Sequence, residues 1–559
     1  DRCGPLQDRV SLPVTEHDRF AVKELITTPK GDTVLDFGQN LTGWVEIDAQ
    51  LPAGTQISLT AGEIMQDDEF YNENYRTAKT TYTYIADGKP FKARPHFTFF
   101  GFRYMKVVCD VPVSEDWFTA VHLRSDMPET TSFMTGNELV NRLYENALWG
   151  MKDNFLEVPT DCPQRDERLG WTGDAQAISE TACQTLYMPA FYRKYLWDMR
   201  AEQSIIGGSV PNVVPRIKKE MIGEFGSCPW ADAGAIIPWN TWKYYGNKEL
   251  LKETYPGMKA WVDCQRAHEE TIGGPHLVKD GFHFADWLAL DNPQPGPFGA
   301  TDPLYISSAY YYRCASIVAE SAKALGLDEA DGYASLAEEI LQAIRGKYFG
   351  NDGLCTIATQ TAAALAIVFG LTEDPEGQGH ALRKLVEEQN GHLNTGFVGT
   401  PILCPALSMT GNHDMAVTVL LQEDFPSWLY SVKLGATTIW ERWNSVMPDG
   451  HMNPEGMNSL NHYTYGSIVS WMISWLCGVR PAEPGYSKAV IEPQPDARLG
   501  EARTEMHTSM GVYVSGWKYE GDGVSYEVKI PFGAEAEVRL PGREPMTLSS
   551  GSYQFQQGE

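Results

Sequence analysis

The chain has 559 residues, with 45 Lys and Arg against 73 Asp and Glu and a formal net charge of −28. So acidic a chain repels phosphate backbones and anionic lipid, which argues against nucleic acid and membrane as partners, although one pocket can differ in sign from the whole. The length exceeds what a single core supports and predicts three or four domains, with 43% apolar residues to fill them.

Residues 1–125 read as an N-terminal β-sandwich, jelly-roll-like. β-branched runs such as Thr33–Phe37 and Gly43–Ile47 alternate with turn signals at 52–54 and 88–90. The segment 97–108 reads as an aromatic strand pair broken at Gly101. From about residue 130 the period becomes helical. Asn137 is placed to cap a helix whose apolar positions run Leu139, Val140, Leu143, Tyr144, Ala147, Leu148 and Met151. Twelve further helical stretches follow up to a last one at 458–477, about thirteen in all. With short loops and no fixed sequence repeat, they predict an (α/α)6 barrel over 126–478 rather than an α-solenoid. Residues 479–559 return to strict alternation at 524–530 and 534–540 and predict a small C-terminal antiparallel β-domain. The expectation is thus a multidomain protein, an (α/α)6 barrel catalytic domain flanked by two β-domains.

The ten cysteines are scattered without a C-x-x-C pair or zinc-like spacing, so no metal site and no cofactor are expected. Their placement favours a reducing compartment, the cytoplasm, over an oxidising one. No apolar run reaches membrane-spanning length. The chain starts at Asp1 rather than at a methionine, so the gene product is expected to begin earlier, and export is left open.

The densest chemistry lies at Asp161-Cys-Pro-Gln-Arg165-Asp166-Glu167-Arg168-Leu-Gly170-Trp171-Thr-Gly-Asp174-Ala-Gln176. Pro163, Gly170 and Gly173 break it into a bent loop leading into a helix near Asp174. Clustered acids beside a tryptophan suit acid/base work on a neutral polyol: carboxylates accept hydroxyl protons, an indole stacks on a sugar's C–H face, and one acid can be kept protonated by its neighbours. Arg165 and Arg168 pull the other way, and a salt-bridged loop is the plainer alternative. A partner carboxylate is available 274 residues on, at Trp440-Glu441-Arg442-Trp443, and Asn461-His462-Tyr463 opens the last helix. Trp230 and Trp287, each neighbouring an aspartate at a helix–loop junction, are candidates for the pocket wall. Trp239, Trp242 and the Pro/Gly-rich loop 291–297 are placed at the same mouth.

The run from Asp161 to Gln176, the Trp440-Glu441 site and the Asn461-His462-Tyr463 element resemble the bacterial α-L-rhamnosidases of glycoside hydrolase family 78. The resemblance extends over nearly the whole chain, including the segments 36–44 and 97–104 of the first β-domain. It implies an (α/α)6-barrel hydrolase that releases terminal non-reducing α-L-rhamnose with inversion, with Glu167 as general acid and Glu441 as general base. It also implies that Asp161, Arg165, Trp171, Asp174 and His462 hold the sugar ring, with Trp230 and Trp287 matched by local context only. The implied partner is a small-molecule or oligosaccharide rhamnoside. Family members usually carry further N-terminal β-domains, and no sugar-binding module or calcium borne by one is expected in this sequence. Another (α/α)6 glycosidase, a uronic-acid lyase, or a catalytically silent carbohydrate-binding protein on the same scaffold remain the alternatives; the glutamate pair favours hydrolysis, because a lyase needs a Tyr/His base and a basic carboxylate site.

Overall fold

The computed structural model describes residues 8–217, 226–274, 276–292, 294, 296–521 and 523–556. The first unit is an eight-stranded antiparallel sheet built on one long strand, Thr33–Gln50. Its first part pairs with Glu24–Thr27 and Phe100–Cys109, and its last part with Phe118–Ser125 and Pro90–Ala93. The register shifts between Asp36 and Leu41, where Gly38 takes a φ of 76°. That irregularity bends the strand between layers, which then enclose a core of Leu35, Leu41, Ile47, Ile57 and Phe102.

The expected strand pair broken at Gly101 is instead a single strand, Phe100–Cys109, with Gly101 inside it. The glycine answers a tertiary demand: a Cβ there would stand 2.8 Å from Pro163 and 2.9 Å from Gln164. The acid-rich loop packs directly on the backbone of this strand.

Among the described residues thirteen α-helices run from Glu138–Asn154 to Ile468–Trp471; those from Ala233–Tyr245 to Ala330–Tyr348 pack each on the next, and Glu138–Asn154 packs against Trp428–Lys433 near the other end of the series. Asn137 caps the first, accepting from the amides of Leu139 and Val140 at 2.9 and 3.2 Å. Two local readings are corrected. Residues 131–135 are a strand, paired with Glu501–Thr508 of the C-terminal sheet, although they follow the point where the helical period was expected to begin. The last helix does not start at 458: residues 458–462 are non-helical, and the helical path runs Tyr463–Ser467, Ile468–Trp471 and Met472–Leu476 with tight, regular and wide turns in succession.

At the C-terminus a five-stranded antiparallel sheet faces a four-stranded one. The two alternating runs do not form a hairpin. Gly523–Ile530 pairs with Gly511–Glu520 and Gly551–Gln556, whereas Glu535–Val538 joins the other sheet, parallel to Lys488–Ile491. The described cysteines are free thiols. Among the described residues no helix is long and apolar enough to cross a membrane.

Candidate active site

The loop between the first two barrel helices is cinched by Asp161. Its amide donates to the carbonyl of Leu169 at 2.9 Å, and its carboxylate accepts the Leu169 amide at 2.8 Å. This closure throws Arg165 inward and Glu167 to the lip of a cavity. The next helix, Thr172–Thr185, starts at once, with Asp174 in its first turn, where an anion is favoured by the exposed amides. Glu441 is brought in from another part of the barrel. Its amide bonds to the carbonyl of Ser459 at 3.0 Å and the amide of His462 to that of Ile439 at 2.8 Å, so the two extended segments carry Glu441 and His462 side by side.

All nine residues singled out in the sequence line one cavity of about 230 Å³. On its polar side are Asp161, Arg165, Glu167, Asp174, Glu441 and His462, and on its aromatic side Trp171, Trp230 and Trp287. Arg165, 1% exposed, is the hub of the polar side. It donates to both oxygens of Glu441 at 2.6 and 3.1 Å, and its Nη2 lies 2.9 Å from Oε2 of Glu167 and 3.4 Å from Asp161. Since one nitrogen touches both glutamates, their facing oxygens are held within about 6 Å, near the scale on which carboxylate pairs are sorted into retaining and inverting types. Oε1 of Glu167 accepts from Nε1 of Trp171 at 2.9 Å.

The charges divide the acids into different states. Burial works against ionisation of Glu441, but Arg165 and His462 overcome it and hold the carboxyl down at about 2. Asp161 goes the opposite way: burial, and then Glu167 beside it, push it up to about 7 against the pull of Arg165. Burial would discharge His462, but Glu441 and the hydrogen bond to Asp174, 2.8 Å long, raise it to about 9. Thr464 adds a second donor to Asp174, also at 2.8 Å. At neutral pH the site therefore contains a firmly ionised glutamate, a charged histidine and a carboxyl poised between its two forms.

Three lining residues escaped the sequence reading: Phe284, Phe397 and Met457. Phe284 is the centre of the aromatic wall, with ring centroids 5.7 Å from Trp171, 4.5 Å from Trp230 and 5.3 Å from Trp287. It stands three residues before Trp287, in the run Phe284-Ala-Asp286-Trp287, of which the sequence reading singled out only the tryptophan. Phe397 follows Gly396 in a glycine-flanked turn, a signal of close backbone approach. The neighbouring Asp286 is buried and accepts the amides of Gly396, Val398 and Gly399 at 3.1, 2.8 and 3.0 Å, as well as the hydroxyl of Thr361. It thereby clamps the Trp287 and Phe397 segments together. Asp232 is likewise internal, accepting from Trp261 at 2.8 Å.

Some expected rim features lie elsewhere. Trp239 and Trp242 face a separate groove with Pro481 and Pro484, at the far end of the helix Ala233–Tyr245. Trp440 and Trp443, which flank Glu441, point away from the sugar-sized cavity. Trp440 packs with Tyr430 and Met452, and Trp443 stacks on Tyr465 with centroids 4.1 Å apart. Of the loop 291–297, Pro293 and Pro295 lie outside the described residues.

A helical barrel closed by six hairpins, with two glutamates from distant segments meeting under an aromatic wall, defines the class as a six-hairpin glycosidase fold. The family described as bacterial alpha-L-rhamnosidase 6 hairpin glycosidase domain matches residues 128–476, its concanavalin-like domain matches 26–124, and its C-terminal domain matches 478–554. The chain belongs to the bacterial α-L-rhamnosidase family. An α-L-rhamnosidase of Alteromonas sp. strain LOR is 35% identical over 586 residues, covering 99% of this chain and 62% of that protein. One from Streptomyces avermitilis is 36% identical over 548 residues, covering 97% of this chain and 51% of that protein. The chain thus spans between half and two thirds of these relatives' length. The crystal structure of a Streptomyces avermitilis α-L-rhamnosidase complexed with L-rhamnose superposes with a TM-score of 0.91 at 33% identity, over 98% of this chain and 54% of that one.

Proposed function

We propose that this chain hydrolyses terminal non-reducing α-L-rhamnosides with inversion, Glu167 protonating the departing oxygen and Glu441 activating water. The observation that carries the reading is the contrast between the two glutamates. Glu441 is buried and kept ionised by Arg165 and His462, as a general base must be. Glu167 sits at the lip, where its carboxyl can reach a leaving group extending toward solvent. Asp161, Arg165, Asp174 and His462 would take the ring hydroxyls, and Trp171, Trp230 and Trp287 would face the ring's C–H side and the C5 methyl, which suits an apolar wall. The binding of L-rhamnose by the Streptomyces avermitilis neighbour supports this substrate class. A uronate substrate is disfavoured by the saturation of Arg165, which three carboxylates already surround.

For inversion a water must fit between anomeric carbon and base, so the carboxyl groups as wholes are proposed to stand roughly 6.5–9.5 Å apart. Proton NMR of the first-formed sugar tests this: β-L-rhamnose appearing before mutarotation is the expected result. First-formed α-L-rhamnose would make Glu441 a nucleophile and overturn the mechanism. A panel of nitrophenyl glycosides tests the substrate, with turnover of the α-L-rhamnoside well above the others expected.

A further inference from the structure

Glu167 is held by a residue that neither the barrel nor the acid-rich motif supplies. Arg76, from the N-terminal β-domain, places Nη1 3.1 Å from Oε2 of Glu167 and 3.5 Å from Asp166. Its Nε and Nη2 donate to the carbonyl of Gly456 at 3.0 and 2.8 Å. One guanidinium therefore ties the acid-bearing loop to the rim loop that carries Met457.

The loop bearing Arg76 is pinned on both sides. Asn74 donates to the buried Glu63 at 2.8 Å, and Glu63 also receives the amide of Leu460 at 3.2 Å and the side chain of Asn40 at 2.9 Å. Tyr75, 1% exposed, donates to the carbonyl of Gly101 at 2.6 Å, on the strand against which Pro163 and Gln164 pack. Thr77 donates to Asp166 at 2.6 Å. Arg76 itself takes a φ of 57°, a left-handed conformation that costs a non-glycine residue energy and persists only where the surroundings enforce it.

We infer that Arg76 is a positioning residue for the proposed general acid, so that the N-terminal β-domain completes the active site. The inference rests on the assignment of Glu167 as acid and adds the device that orients it. In the free site Oε1 of Glu167 has the Trp171 indole, and Oε2 has Arg76 and Arg165. The other charged or titratable groups around Glu167 are Asp161 and Asp166 on its own loop, the exposed Arg168 next to it, and Glu441 and His462 across the cavity. Loss of Arg76 removes one fixed cation while leaving Arg165 in place. The acid is then less well aimed, and turnover falls most where the leaving group needs its proton.

The test compares kcat and KM on nitrophenyl α-L-rhamnoside and on a rhamnoside with a sugar leaving group, for wild type, Arg76→Met, Arg76→Lys and Asn74→Ala. The expected result for Arg76→Met is a kcat loss of about tenfold or more on the sugar leaving group and a smaller one on nitrophenol, with KM little changed on both. Arg76→Lys, which keeps a cation beside Glu167, should recover part of the loss. Asn74→Ala frees the same loop but keeps the guanidinium, and should lose less than Arg76→Met on the sugar leaving group. Melting curves identify any variant that fails to fold, and the lysine variant then carries the comparison. Equal losses on both leaving groups in folded Arg76→Met, or no recovery in Arg76→Lys, overturns the inference. A wild type inactive on every rhamnoside would instead overturn the proposed function.

Discussion

Gly173→Ala isolates the aromatic wall from the acids. Gly173 lies in the first turn of the helix Thr172–Thr185, and a Cβ there would stand 2.6 Å from Cγ of Trp230 and closer still to Cδ2 and Cε2. Carbon atoms pack at about 3.5–4.0 Å and the nearest indole atom would lie 2.2 Å away, so the indole must retreat by more than about 1 Å. Trp230 is 3% exposed and already backs on Phe284 and Phe397, so its open direction is the cavity itself. Overpacking of this kind costs about 1–3 kcal/mol, and the better helix propensity of alanine returns about 1, leaving a net loss of at most about 2 kcal/mol. Displacing a wall residue by 1 Å can cost up to about a hundredfold in rate, so kcat/KM should fall by ten- to a hundredfold and inhibition by free L-rhamnose should weaken in parallel. Steady-state kinetics on nitrophenyl α-L-rhamnoside, rhamnose inhibition and thermal unfolding measure all three. Gly332→Ala, in the helix Ala330–Tyr348 with nothing within 4 Å of its new Cβ, is the control and should leave activity unchanged. A folded Gly173→Ala enzyme with wild-type kcat/KM and rhamnose inhibition would refute the placement of Trp230 against the sugar.

Glu167→Gln should spare nitrophenol release, which needs little protonation, and lower the release of a sugar or flavonoid by a further factor of about a hundred or more; equal losses on both would remove Glu167 from the acid role. His462 gains its proton on folding, its value rising from 6.5 to about 9, so its contribution to stability is complete below pH 6.5 and is lost as pH rises through about 9. Chemical denaturation across that range should show the loss in wild type and not in His462→Gln. Glu441 has the opposite sign: held down from 4.5 to about 2, it contributes above pH 4.5 and loses that contribution as pH falls through about 2, which the same titration of Glu441→Gln against wild type checks. Chelation by EDTA should leave turnover intact, and full loss restored by one divalent ion would show a metal requirement.

What the sequence determined by itself was whatever depends on near neighbours in the chain. The helical period after Asn137 is a local property, and Asn137 caps the helix where its side chain can reach the amides two and three residues on. The Asp161–Gln176 run was legible for the same reason: Asp161 and Leu169 close it through bonds eight residues apart, and Glu167 and Trp171 meet four residues apart. The tertiary structure decided what spans hundreds of residues. It set Arg165 between Glu167 and Glu441 and so divided the acids into different states, since that depends on burial and on charges no local pattern encodes. It sent Trp440 and Trp443 into packing instead of the cavity, and drew Phe284 and Phe397 into the wall through the buried Asp286. It also brought Arg76 from another domain onto the acid, 91 residues away in sequence. A lone arginine after a short turn has no periodicity to betray it; its role arises only because Gly101 lets the acid loop lie flat against the first β-sheet.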